Sequence, residues 1–145
     1  CFLSLMPQEG TRAATFRKES KYAHAMPIFH IAHKDDWHAA HDLGEYRIST
    51  RDATLDQVGF IHSSTAQQLP GVAERFYATD EAELVVLELD EAAIRAAGVE
   101  LKFEDAGNGE LFPHIYGPIR PEYVTEARAA RMDSSGRLIY EAAEA

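Results

Sequence analysis

Cysteine is almost missing from this chain; the one present is Cys1. A lone thiol there excludes an internal disulfide, a cysteine-built zinc site and a cysteine nucleophile in the body of the fold, and it fits a reducing, cytoplasmic setting. Positive charge is scarce as well. There are 14 Lys and Arg against 24 Asp and Glu, a formal net charge of −10. That balance argues against long nucleic acid as a partner, because such affinity rests on clustered cations, but it leaves room for a small anionic ligand held by local donors. No apolar run approaches the roughly 18 residues that span a bilayer, so no membrane segment is expected. Neither GxGxxG nor GxxxxGK[ST] occurs, which removes the two commonest phosphate loops. Without GxSxG, no serine nucleophile elbow is expected either.

What is present is the composition of one soluble globular domain: 145 residues, 46% hydrophobic and 26% charged. Residues 1–25 stand apart, with four basic and two acidic residues, no periodicity, and Met26-Pro27 immediately after them. We expect them to be an irregular, extraneous leader. Phe2-Leu3-Ser4-Leu5-Met6 is too short for the apolar region of a signal peptide. Met26 is then the natural start, and residues 26–145 form a single domain with a formal charge of −12.

The most informative stretch is Gly59-Phe60-Ile61-His62-Ser63-Ser64. Phe60 and Ile61 belong in a core, and His62 beside them needs a partner, since an unpaired polar group in a dry site costs about 1–3 kcal/mol. Ser64 followed by Gln67 has the pattern of a capping box, which predicts a helix from Thr65 onward. Strand, turn and helix start would then bring His62, Ser63 and Ser64 toward a ligand, at a helix N-terminus that favours anions. The plainer alternative is a satisfied structural histidine and an ordinary cap.

Around this stretch the pattern alternates strands with short helices. Ile28–Ala32 reads as a strand, with Phe29 and Ile31 on one face and Ile28, His30 and Ala32 on the other. Asp35 or Asp36 should cap a helix ended by Gly44. His33, His38 and His41 cluster here, but no further ligand completes a zinc set, so solvated helix-face histidines are expected and no metal site. Residues 45–57 read as a short strand and loop. There Arg47 and Arg51 either reach a phosphate or answer nearby acids. Leu69, Val72, Ala73 and Phe76 have helical spacing, with Pro70 either kinking the helix or opening its first turn. Leu84–Leu89 is the strongest strand and should be central. Asp90 caps the next helix, closed by Gly98. Val99, Leu101 and Phe103 should face the core, with Glu100, Lys102 and Glu104 opposite. Residues 105–109 form a loop with two glycines. Leu111–Pro118, with two prolines, a histidine and a tyrosine, suits a rigid aromatic turn. Val124–Met132 and Arg137–Tyr140 read as a hairpin around Asp133–Gly136. The sum is an α+β fold with a mixed or mostly antiparallel sheet.

These blocks, taken in order from Ile28-Phe29-His30-Ile31 through GFIHSS and Arg75-Phe76-Tyr77 to Leu111-Phe112-Pro113-His114-Ile115-Tyr116-Gly117-Pro118, resemble the DUF952 family. That family comprises small bacterial proteins without an established reaction, grouped by fold with the ADP-ribosyltransferases. The resemblance implies a split, mostly antiparallel sheet with a cleft for NAD as a substrate; no cofactor is firmly implied. By that resemblance His30 would hold the adenosine ribose or nicotinamide side, and His62, Ser63 and Ser64 would shape the nicotinamide pocket. Glu104, or second Glu110, would steady an oxocarbenium-like transition state; the alternative is that His114 with Tyr116 occupies that part of the cleft instead. An imidazole such as His114 suits an acid or base near neutrality. Three readings follow. One is an enzyme acting on NAD or an ADP-ribosyl or phosphate-bearing substrate. The second is a non-catalytic module binding such a nucleotide-like ligand. The third is a protein-interaction domain whose histidines are structural.

Overall fold

The computed structural model describes residues 27–140; the expected leader at 1–25 and the start at Met26 lie outside them. One sheet is built from β1 (Pro27–His33), β5 (Leu84–Asp90), β8 (Val124–Met132) and β9 (Leu138–Tyr140), in the order β1-β5-β8-β9 and antiparallel throughout. The apolar run of β5 is buried along its whole length because both faces are covered. Val85, Leu87 and Leu89 enter one core with Trp37, Ile94 and Tyr123. Leu84 and Val86 enter a second with Phe29, Ile31, Leu69 and Ala73. The period-two split expected in β1 is present: Ile28 and Ala32 face the first core, Phe29 and Ile31 the second.

A second, three-stranded sheet contains β4 (Ile61–His62), β7 (Leu111–Tyr116) and β6 (Glu100–Asp105), ordered β4-β7-β6. The two sheets meet where the chain leaves β4. Ser64 and Phe29 exchange backbone hydrogen bonds of 2.7 and 2.8 Å. A ribbon of β2 (Ile48–Thr50) and β3 (Ala53–Thr54) leads into the short α2 (Leu55–Val58). Helices α1 (Lys34–Leu43), α3 (Leu69–Tyr77) and α4 (Glu91–Ala96) close the cores. The class is α+β with mostly antiparallel sheets and short helices, as the sequence pattern predicts. Among the described residues no helix is long and apolar enough to cross a membrane.

Several local expectations are corrected. Ser64 does not cap a helix: its backbone is tied to β1, and the reciprocal pair sits one residue later. Thr65 N–H donates to Gln68 Oε1 at 3.0 Å and Gln68 N–H to Thr65 Oγ1 at 3.3 Å, and α3 starts at Leu69 with Pro70 in its first turn. Proline is tolerated there because the first N–H groups have no intrahelical acceptor. Helix α1 begins at Lys34 with no side-chain cap, so neither Asp35 nor Asp36 serves as one, while Gly44 ends it at φ 93°, a conformation glycine adopts without strain. A capping box that the sequence reading passes over, Thr54 with Gln57, starts α2. Leu111–Tyr116 is a strand and not a turn: Pro113 joins the ladder through its carbonyl, which accepts from Ser63 N–H at 3.0 Å, and Phe112 and Ile115 are buried. Phe103 is 41% exposed, because β6 is an edge strand whose far end runs past the core.

Candidate functional site

Alternation on the second sheet creates the site. Ile61, Ile115 and Leu101 point into the core, so their neighbours in the chain must point the other way. His62, His114 and Lys102 are therefore placed in register across β4, β7 and β6. This outward face of β4 and β7 forms one wall of a cleft of about 590 Å³. The opposing wall is α3, with Gly71, Val72, Arg75 and Phe76, and the rim is the loop carrying Asp105, Asn108 and Glu110. Phe60 and Phe112 add aromatic surface. Gln68 ties the rim to the helix start, its Nε2 donating to Glu110 Oε2 at 3.1 Å and to the Leu111 carbonyl at 2.8 Å.

Within the cleft, the aromatic contacts fix the two imidazoles. His114 lies flat on Phe60, ring centroids 3.9 Å apart and planes 15° from parallel. His62 sits between Phe76 at 5.8 Å and Phe112 at 5.3 Å. His62 Nδ1 and His114 Nε2 are 3.4 Å apart. His114 Nδ1 reaches Glu104 Oε1 at 2.7 Å, and the Tyr116 hydroxyl donates to the same oxygen at 2.5 Å. The Tyr116 and His114 bonds hold the Glu104 carboxyl below the usual carboxylate range, and the same bond pushes Tyr116 up to about 12. Burial lowers His62 to about 4, with the charges of His114 and Arg75 adding to the effect. A carboxylate–imidazole–imidazole chain thus ends at His62 Nε2, a buried atom without a hydrogen-bond partner among the described residues. A buried polar atom left unpaired on a cleft residue is unusual enough to need a reason.

The residues singled out from the sequence divide into three groups. His62, His114 and Glu110 line the cleft, and Glu104 and Tyr116 stand behind His114. Ser63 and Ser64 are buried beside β4, and their hydroxyls have no hydrogen-bond partner among the described residues. His30 and Arg47 are elsewhere. His30 is 4% exposed between the strands; its Nδ1–H donates to the His62 carbonyl at 2.7 Å, and its Nε2 accepts from the Tyr46 hydroxyl at 3.1 Å. Burial lowers His30 to about 4, so it is a neutral histidine that pins the junction of the two sheets. Arg47 is paired with Glu45 and Asp56 on the surface. Arg51 answers Asp80. Near it His33 Nε2 lies 2.6 Å from the same carboxylate.

Sequence reasoning missed Arg75, which lines the cleft and has no ion pair among the described residues. It also placed Phe60 in the core. The available signal was the alternation itself: with Ile61 buried, Phe60 and His62 share the opposite face.

The fold occurs in solved structures. The X-ray crystal structure of protein CC0527 from Caulobacter crescentus superposes with a TM-score of 0.68 at 26% identity, covering 79% of this chain and 94% of that one. A double-mutant form of CC0527 gives 0.67 with the same identity and coverage. No curated protein matches. Residues 31–127 match the family described as protein of unknown function (DUF952), and the chain belongs to that family.

Proposed function

We propose that the cleft binds a small nucleotide-like ligand, with NAD or another ADP-ribosyl or phosphate-bearing molecule as the first candidate. The observation that carries this reading is the composition of the cleft: about 590 Å³, walled by Phe60, Phe76 and Phe112, with Arg75 and the His62–His114 pair converging on it. Aromatic walls suit a planar base. An arginine without an ion pair among the described residues suits a phosphate. The volume falls within the range of small-molecule sites. The likeness to ADP-ribosyltransferases implied by the sequence supports the same ligand class, as an analogy of fold.

Two activities remain on this footing. In a transferase reading, a carboxylate must face the nicotinamide ribose. Glu104 is committed to His114 and Tyr116, so Glu110, on the cleft rim, is better placed for that role. The commitment of Glu104 favours the second reading, binding without transfer. Calorimetric titration with ADP-ribose and NAD, followed by an assay for released nicotinamide, separates them. Saturable binding weakened at least tenfold by Arg75→Ala or His62→Ala supports the cleft, and released nicotinamide then makes it an enzyme. Absence of binding at millimolar ligand rejects the nucleotide reading.

A further inference from the structure

We propose that Glu104, His114 and His62 form a proton relay opening onto the cleft, with His62 Nε2 as the acid–base atom for a bound ligand. This deepens the cleft reading above and rests on it for the presence of a ligand, but the relay itself is a property of the protein alone.

The hydrogen-bond inventory fixes the direction of the chain. A carboxylate only accepts, so His114 carries its proton on Nδ1, facing Glu104. His114 Nε2 is then an acceptor toward His62 Nδ1, 3.4 Å away, and His62 takes its proton on Nδ1. That leaves a lone pair on His62 Nε2, the atom without a partner. The arrangement is that of a base oriented by a second group, itself oriented by a third, with one imidazole interposed.

An O–H or N–H of the ligand breaks, its proton bonding to His62 Nε2 and its electron pair remaining on the ligand. The proton on His62 Nδ1 passes to His114 Nε2. The charge thus comes to rest on His114 against the Glu104 carboxylate, and the ligand anion is left in a cleft that also holds Arg75. The reverse sequence donates a proton. Burial explains why the charge is passed on: His62 is held near 4 and stays neutral, whereas Glu104 offers His114 a counter-charge. The other titratable groups at the cleft, Asp105 and Glu110, lie on its rim. His62 Nε2 is closed off from water, so a ligand reaches it with a shift of the Phe76 or Phe112 ring. The substrate class is a molecule with an ionisable O–H or N–H near an anionic group. Glu104 is in this account a positioning residue that acts through His114.

Diethyl pyrocarbonate, which acylates unprotonated imidazole nitrogen, tests the relay without knowledge of the ligand. Modification of the full chain at neutral pH is followed residue by residue by mass spectrometry, with exposed His38 and His41 as internal standards. The relay predicts that His62 is modified, and that Glu104→Gln and His114→Gln each slow it about tenfold, the effect of about one unit of basicity, while His38 and His41 keep their rates. Unchanged Trp37 fluorescence shows that each variant is folded. A His62 that resists modification, or whose rate follows the standards in both variants, overturns the relay. Protection of His62 by ADP-ribose reports separately on the nucleotide reading, so either proposal can fall while the other stands.

Discussion

At the scale of single residues, fully buried His30 and half-buried His62 show how similar desolvation leads to different uses. Both are neutral, both lowered to about 4 by desolvation, yet His30 has partners on both nitrogens while His62 Nε2 has none among the described residues. His30→Ala unpairs the Tyr46 hydroxyl and the His62 carbonyl and opens a void in the core. It should cost about 3–5 kcal/mol in urea unfolding, against under about 0.5 kcal/mol for exposed His38→Ala. A loss below 1 kcal/mol would show that His30 does not pin the sheets. The sequence announces both histidines, since each sits beside buried apolar neighbours. It does not announce which one meets a ligand, because partners such as Tyr46 and His114 come from 16 and 52 residues away.

At the scale of elements, the hydrophobic period carries most of the information. The strands β1, β5 and β8 and the helix α3 were all legible, because their apolar spacing matches the faces they bury. Polar segments were less so. The β2–β3 ribbon is fastened by Asp80, which is 7% exposed, lies 2.6 Å from His33 and 3.0 Å from Arg51, and accepts from Ala82 N–H. Burial works against its charge, yet the His33, Ala82 and Arg51 contacts together hold it below the usual range. No local pattern reveals such a clamp. Asp80→Ala should destabilise by about 2–3 kcal/mol, most of it from stranded donors, and speed amide exchange in β2–β3. Arg51→Ala should cost under about 1 kcal/mol, because Arg51 is 38% exposed. Likewise, the reciprocal pair ahead of α3 sits one residue later than expected, since Thr65–Gln68 and Ser64–Gln67 satisfy the same spacing, and α3 itself starts at Leu69. The backbone tie of Ser64 to Phe29 decides between them. Thr65→Ala should cost about 1 kcal/mol.

At the scale of the whole molecule, burial of neutral histidines makes stability depend on acid. His30 and His62 ordinarily titrate near 6.5 and are lowered to about 4 in the fold. As pH falls below 6.5 the unfolded chain binds their protons first. The stability from burying them neutral is therefore complete above about 6.5 and is lost between about 6.5 and 4, by about 3 kcal/mol for His30 alone. Below that range Asp80 and Glu104, held under their usual values, continue the loss. Urea midpoints should fall steadily from pH 7 to 4.5; a flat profile above pH 5 would contradict the neutral burial of both histidines.

The cleft is likewise a property of the whole molecule, since it takes one wall from the second sheet, another from α3 and its rim from the 105–110 loop. The sequence supplied its histidines and rim glutamate, but not Arg75 or the aromatic lining, which only the packing of α3 against β4 and β7 brings together. The most direct test is a ¹H–¹⁵N NMR titration of the chain with ADP-ribose. Saturable shifts concentrated at Gly71, Arg75, Phe76, Asn108 and His62 are the predicted result. No shifts at millimolar ligand, or shifts gathered instead on the exposed face of α1, would contradict a nucleotide-binding cleft.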